Sequence, residues 1–222
     1  VLSRRQRQMC IRDSLVCDCC QTAAVMTLDS PLVVYRDRTK SEQRDIVSSR
    51  WLQDGWSQPK PVGVDGWQIN GCPVNGPALA ARQNAVAALW YSGANGQSQI
   101  FFSRSADGGV SFDRKLKVNK DRALGRVTLL MYPDRSALLA WMRENTSGTA
   151  HIVGRFISSN NELGPILEFV QVSPKRASGF PKLFLSDVGT VLAWTDQSDV
   201  APRVRTLIAV SYTHLRAHET EE

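Results

Sequence analysis

Histidine is nearly missing from this chain: it has three among 222 residues, and two of them, His214 and His218, stand in the last nine positions. Zinc sites built from several imidazoles are therefore excluded. Long apolar runs are missing as well. The longest uncharged stretches, such as 127–132 and 190–195, fall far short of the roughly 20 residues that cross a bilayer as a helix, so no integral membrane segment is expected. Nowhere is helical i, i+3, i+4, i+7 apolar spacing sustained between caps. Nothing in the composition suggests disorder, collagen or a coiled coil. Lys and Arg outnumber Asp and Glu by 27 to 21, but they are not clustered with interleaved aromatics, which excludes a nucleic-acid partner.

What is present divides into three parts. The run Arg4-Arg5-Gln6-Arg7-Gln8-Met9-Cys10-Ile11-Arg12-Asp13-Ser14 resembles the in-frame translation of a sequencing-library adaptor. Val210-Ser211-Tyr212-Thr213-His214-Leu215-Arg216-Ala217-His218-Glu219-Thr220 resembles the opposite adaptor. Residues 1–14 and 210–222 are accordingly set apart from fold reasoning, which leaves 15–209 as the folding unit and His151 as its one histidine.

That unit repeats. Apolar runs ending in an aromatic residue occur at Leu32–Tyr35, Ala87–Trp90, Leu138–Trp141 and Val191–Trp194, with the aromatic anchors 55, 51 and 53 residues apart. Each anchor is followed by a second strand-like segment, beginning at Asp45, Gln99, His151 and Arg203. A small-residue run precedes each one: 22–27, 77–81, 126–131 and 181–185. β-Branched and aromatic residues dominate these runs, and turn residues such as Asp29-Ser30 separate them. The fold class expected is all-β. Four short antiparallel strands restarting near every 50 residues match the blade of a β-propeller. A β-sandwich is the alternative, although it does not require the fixed period.

Ser105-Ala106-Asp107-Gly108-Gly109-Val110-Ser111-Phe112 fits the pattern Ser-x-Asp-x-Gly-x-Ser-Phe, an Asp-box. In such a turn Asp107 bonds the backbone and Ser105 belongs to the same constellation. Gly109 takes a positive φ, and Phe112 returns to the core. With Cys17-Asp18-Cys19-Cys20-Gln21-Thr22-Ala23, Tyr35-Arg36-Asp37-Arg38, Gly71-Cys72-Pro73-Val74-Asn75-Gly76-Pro77 and Ala177-Ser178-Gly179-Phe180-Pro181, nearly all of 15–209 resembles a bacterial family of sialidase-like, Asp-box (BNR) repeat proteins. The resemblance implies a propeller of six blades, about four of them in this chain, often exported, and an exo-α-sialidase-like glycosidase. Fold analogy alone does not establish that activity.

In a propeller the segments opening each blade and the loops between second and third strands share one face. Arg36, Arg126 and Arg176 come from three blades there, with Asn75 beside them. Planar guanidinium forks suit a carboxylate ligand, as in the arginine cluster by which sialidases hold an acidic sugar. Asp37 or Asp45 is then the acid or base at the glycosidic oxygen. The competing reading has Arg36–Asp37 and Arg44–Asp45 pair only with one another across a loop. The family's Arg-Ile-Pro signature is absent, and Tyr35, Tyr91 and Tyr132 all fall on strand runs rather than at a nucleophile position. A non-catalytic glycan- or protein-binding propeller is thus the second expectation. Cys17, Cys19, Cys20 and Cys72 admit three readings: disulfides of a periplasmic or extracellular protein, a thiolate metal site or buried thiols. No cofactor or metal is assigned, His151 is read as a core or rim residue, and the oligomeric state is not legible.

Overall fold

A computed structural model describes residues 15–197 and 201–209. The adaptor-like segments at either end lie outside the described residues, as does Cys10. Every predicted run forms a strand. The first sheet holds β1 (Ala23–Met26), β2 (Pro31–Arg36), β3 (Ile46–Leu52), β4 (Gly55–Trp56) and β5 (Lys60–Gly63), with both β4 and β5 pairing to β3. The second holds β6 (Ala78–Arg82), β7 (Ala85–Ser92), β8 (Gln99–Ser105) and β9 (Leu116–Lys117). The third holds β10 (Ala123–Met131), β11 (Ala137–Glu144), β12 (Ala150–Ile157) and β13 (Leu163–Val172). The fourth is β14 (Lys182–Ser186), β15 (Gly189–Asp196) and β16 (Arg203–Ala209). All pairings within these sheets are antiparallel between neighbours in sequence, apart from β3 with β5. Apart from two 3-10 turns, Ala94–Gly96 and Arg176–Ser178, no helix is present among the described residues, and none is long and apolar enough to cross a membrane.

The anchor aromatics explain how the sheets stack. Each lies on the second strand of its sheet, and alternation turns it to one face. Trp90 packs with Leu32, Val34 and Ile46 of the first sheet, Trp141 with Leu89 and Phe102 of the second, and Trp194 with Met142 and Ile152 of the third. Each of these three tryptophans therefore fills the layer against the preceding sheet. Trp90 and Trp141 are fully buried, and burying a large apolar side chain in this way contributes about 1.5–3 kcal/mol. Tyr35, the first anchor, instead lines an open cleft of about 240 Å³ with Val33, Ser49 and Trp56.

The first strands lie side by side, β1 against β6, β6 against β10 and β10 against β14. The Leu183 N–H reaches across from β14 to Thr128 Oγ1 on β10 at 3.2 Å. Residues of all four first strands, among them Ala24, Ala78, Thr128 and Lys182, surround one cavity of about 260 Å³. The sheets thus fan around their first strands. One end of the fan carries the chain segments leading into those strands, and the other carries the tight turns.

Candidate functional site

Asn75 is the hub of the end where the first strands begin. Its Oδ1 accepts the Arg126 N–H at 2.8 Å, and its Nδ2 donates to the Leu124 carbonyl at 3.3 Å. Its own carbonyl accepts Arg36 Nε at 2.9 Å. Gly125 makes this contact feasible, because a Cβ there would stand 2.3 Å from Asn75 Oδ1. At Gly125 and Arg126 the chain leaves the regular ladder of β10 with β11, both residues having positive φ (84° and 52°). That local break re-aims Arg126.

The Arg126 guanidinium is half-buried, with Nη1 3.2 Å from Met142 Sδ and Nη2 3.2 Å from the Pro174 carbonyl. Burial first and the neighbouring Arg176 cation second lower its pKa. Arg176, on the 3-10 turn ahead of β14, has Nη2 3.8 Å from Cys72 Sγ. No ion pair joins either arginine to a carboxylate among the described residues. Val127 and Phe180, which follow these arginines in the chain, line the cavity framed by the first strands. The structure therefore brings Arg126, Arg176 and Asn75 together.

Arg36 is attached to this group but faces inward. It is 1% exposed and donates to three carbonyls: Asn75, Arg44 (Nη1, 2.6 Å) and Tyr91 (Nη2, 2.6 Å). Its guanidinium lies over the Trp67 ring at 4.9 Å, and burial lowers its pKa. It acts as a cross-brace between the first two sheets. Arg36–Asp37 and Arg44–Asp45 do meet across the loop, but through the Arg44 and Asp45 carbonyls rather than as ion pairs; Arg44 and Arg38 both bind Glu42, at 2.6 and 2.8 Å. Asp45 holds a turn instead, its Oδ1 accepting the Asp65 and Gly66 N–H groups and its Oδ2 the Gln43 amide. The Asp37 N–H binds the Asp45 carbonyl at 2.9 Å, and Asp37 bridges to Val16. Neither aspartate is brought against Arg126 or Arg176 by a hydrogen bond or ion pair.

The cysteines meet close by. Cys19 and Cys72 form a disulfide, while Cys17 and Cys20 remain thiols with their sulfurs 2.7 Å apart. Burial, reinforced by the bond with Cys17, pushes the Cys20 thiol up to about 12. A second charged group gathers at the β11–β12 loop, where Asp121, Arg122, Arg143 and Glu144 line a cavity of about 600 Å³. Arg143 binds Asp121 at 3.1 Å and Glu168 at 2.5 Å, and His151 lies 3.4 Å from the same Glu168. Arg143 and Glu144 end β11, Asp121 precedes β10 and Glu168 lies on β13, so the packed sheet is what brings them together.

At the opposite end the Asp107 turn has its expected geometry. Asp107 Oδ1 accepts the Ser111 N–H at 3.0 Å, Oδ2 accepts the Ser111 hydroxyl at 2.6 Å, and Ser105 Oγ accepts the Gly109 N–H at 2.8 Å. Gly109 has φ 85°, and Phe112 packs against the core between the first two sheets.

No family model and no curated protein matches the chain. Solved structures do. A Trypanosoma rangeli sialidase in complex with sialic acid superimposes with a TM-score of 0.56 at 8% identity, over 84% of this chain and 35% of that one. A thermostable family-43 glycoside hydrolase gives 0.52 at 12% identity, over 85% of this chain and 67% of that one. An α-L-arabinofuranosidase from Clostridium thermocellum gives 0.50 at 11%, with the same coverage. The chain spans about two thirds of the two glycoside hydrolases and about a third of the sialidase. The likeness is one of fold, and the fold is shared with glycoside hydrolases.

Proposed function

We propose that this chain is part of a β-propeller that acts on glycans and holds the carboxylate of an acidic sugar between Arg126 and Arg176. One observation carries this reading: Arg126 reaches across to the Pro174 carbonyl, two residues before Arg176, so two guanidinium groups from adjoining sheets share one neighbourhood. They stand beside the cavity framed by the first strands, with no carboxylate ion pair to balance them among the described residues. A planar anion between two such forks relieves the repulsion and gains charge-assisted hydrogen bonds. Asn75 fixes the Arg126 backbone, while Arg36 braces Asn75 from behind rather than touching the sugar. The four sheets are read as four of six blades. A periplasmic or extracellular setting belongs to this reading as an expectation.

Binding without hydrolysis is the form of this function that the geometry favours, since Asp45 is engaged in its turn and Asp37 is not joined to the arginine pair. Hydrolysis would draw on Asp37 as acid or base. Titration of the full chain with sialic acid and with a neutral hexose, followed by NMR saturation transfer, tests the reading. Binding of the acid alone is expected, weakened at least about 10-fold by Arg126→Ala or Arg176→Ala. Equal binding of the neutral sugar, or affinity unchanged in both variants, overturns it.

A further inference from the structure

Four of the five cysteines converge where the segment ahead of β1 meets the segment ahead of β6. Cys17 Sγ stands 2.7 Å from Cys20 Sγ and 3.6 Å from Cys19 Sγ. The three sulfurs lie within 4.8 Å of one another, and Cys72 is bonded to Cys19. A tetrahedral thiolate centre, with metal–sulfur bonds of about 2.3 Å, spaces its sulfurs about 3.8 Å apart. Cys17, Cys19 and Cys20 are gathered on that scale, and the bond to Cys19 keeps Cys72 beside them.

The surroundings supply an independent observation. The Arg44 side chain is 3% exposed, and its Nε and Nη1 have no hydrogen-bond partner. Apart from Glu42, the group it faces is the Cys17 sulfur. The buried Arg36 guanidinium lies near the Cys20 and Cys17 sulfurs with its three nitrogens taken by carbonyls, and Arg176 Nη2 is 3.8 Å from Cys72 Sγ. The idle donors of the buried Arg44 demand an acceptor, and an anion serves best. Neutral thiols or two disulfides would not provide one, whereas thiolates on a divalent ion form a net anionic centre that accepts N–H donors from its surroundings.

We propose that Cys17, Cys19, Cys20 and Cys72 form one four-thiolate site for a divalent cation of the zinc class, the Cys19–Cys72 disulfide being the oxidised, metal-free form of the same site. One cation and four thiols give the centre and release four protons. From the disulfide form, Cys19 and Cys72 must first gain two electrons and two protons. An external dithiol supplies these and is itself oxidised to its disulfide. The bound ion would tie the approach to β1 to that of β6, and with it Asn75 and Arg176. The inference is independent of which ligand the arginines hold.

The test uses the full chain with Cys10→Ser, reduced with a dithiol and transferred to buffer free of it without oxygen. Co²⁺ is then added, followed by Zn²⁺. One equivalent of Co²⁺ is expected to give the intense visible and near-ultraviolet bands of tetrahedral sulfur ligation, and one equivalent of Zn²⁺ to abolish them. Cys20→Ser and Cys72→Ser are each expected to lose stoichiometric loading, with far-ultraviolet circular dichroism showing whether they remain folded. If a variant unfolds, the titration of the four-thiol chain decides. A folded chain with four titratable thiols and no stoichiometric Co²⁺ or Zn²⁺ overturns the proposal, as does unchanged loading in a folded Cys20→Ser variant.

Discussion

Two constellations at opposite ends of the sheets are held by different kinds of bond. At the turn end, the Asp107 constellation closes on itself: Ser105, Asp107, Gly109 and Ser111 bind one another across two to four positions. At the other end Arg36 binds Asn75 from 39 positions away and Tyr91 from 55, Asn75 binds Arg126 from 51, and Arg176 touches Cys72 from 104. The Asp107 side-chain constellation can form within one hairpin, although its neighbours Asn84 and Arg104 bind Asp29 and Asn161 of adjoining sheets. The Asn75 constellation exists only once three sheets have docked, so it depends on the packing of the whole fan. Damage to it should spread.

The largest effect expected is at Arg36. Arg36→Ala leaves three buried carbonyls without their donor and opens space above Trp67. Unpaired buried polar groups each cost about 1–3 kcal/mol, so a loss of about 3–5 kcal/mol is expected in urea unfolding. Binding at Arg126 should weaken as well, because Asn75 loses its brace. A variant destabilised by less than about 1 kcal/mol would mean that the two ends do not differ in this way.

The same contrast explains what could be read in the sequence. The strands follow from apolar and aromatic runs with turn residues between them, and Trp90, Trp141 and Trp194 were legible as core because their alternation is local. The Asp107 turn was legible because the side-chain bonds of Ser105, Asp107 and Ser111 that close it lie within seven residues. Arg126 and Arg176 could be assigned to one face by blade topology, but the break at Gly125 and Arg126 that aims the guanidinium leaves no pattern in side-chain type. Arg36 was read as a ligand-binding fork on its chemistry. Its actual partners are three backbone carbonyls, which are the same in every residue and announce nothing. Asp45 was misjudged as free chemistry for the same reason: two of its donors are the N–H groups of Asp65 and Gly66.

A smaller effect is expected at the turn end, at Gly109. Its φ is 85°, and an added Cβ would stand 2.6 Å from the fully buried Leu32 side chain. Gly109→Ala should cost about 1–3 kcal/mol through backbone strain and overpacking, read as a lower midpoint in thermal unfolding. Sugar binding should be unchanged, because no long-range bond of the other end passes through this turn. A loss of binding in folded Gly109→Ala would show that the ends are coupled.

The smallest effect expected is that of Asp107 itself, and its sign is set by pH. Burial alone would raise the carboxyl, but hydrogen bonds from Ser111 and Ser105 overcome that and hold it at about 2, against 3.8 in the unfolded chain. A depressed folded pKa means that the unfolded state binds the proton more readily. The turn therefore contributes its stability above about pH 4 and loses it as the pH falls through 3.8 toward 2. Asp107 is exposed to solvent, which screens the interaction and limits it to about 1 kcal/mol or less. Asp107→Asn should thus unfold slightly earlier than the parent chain at pH 7, with the gap closing by about pH 2. A gap that stays constant over that range would assign the turn's stability to neutral hydrogen bonds and backbone shape rather than to the carboxylate charge.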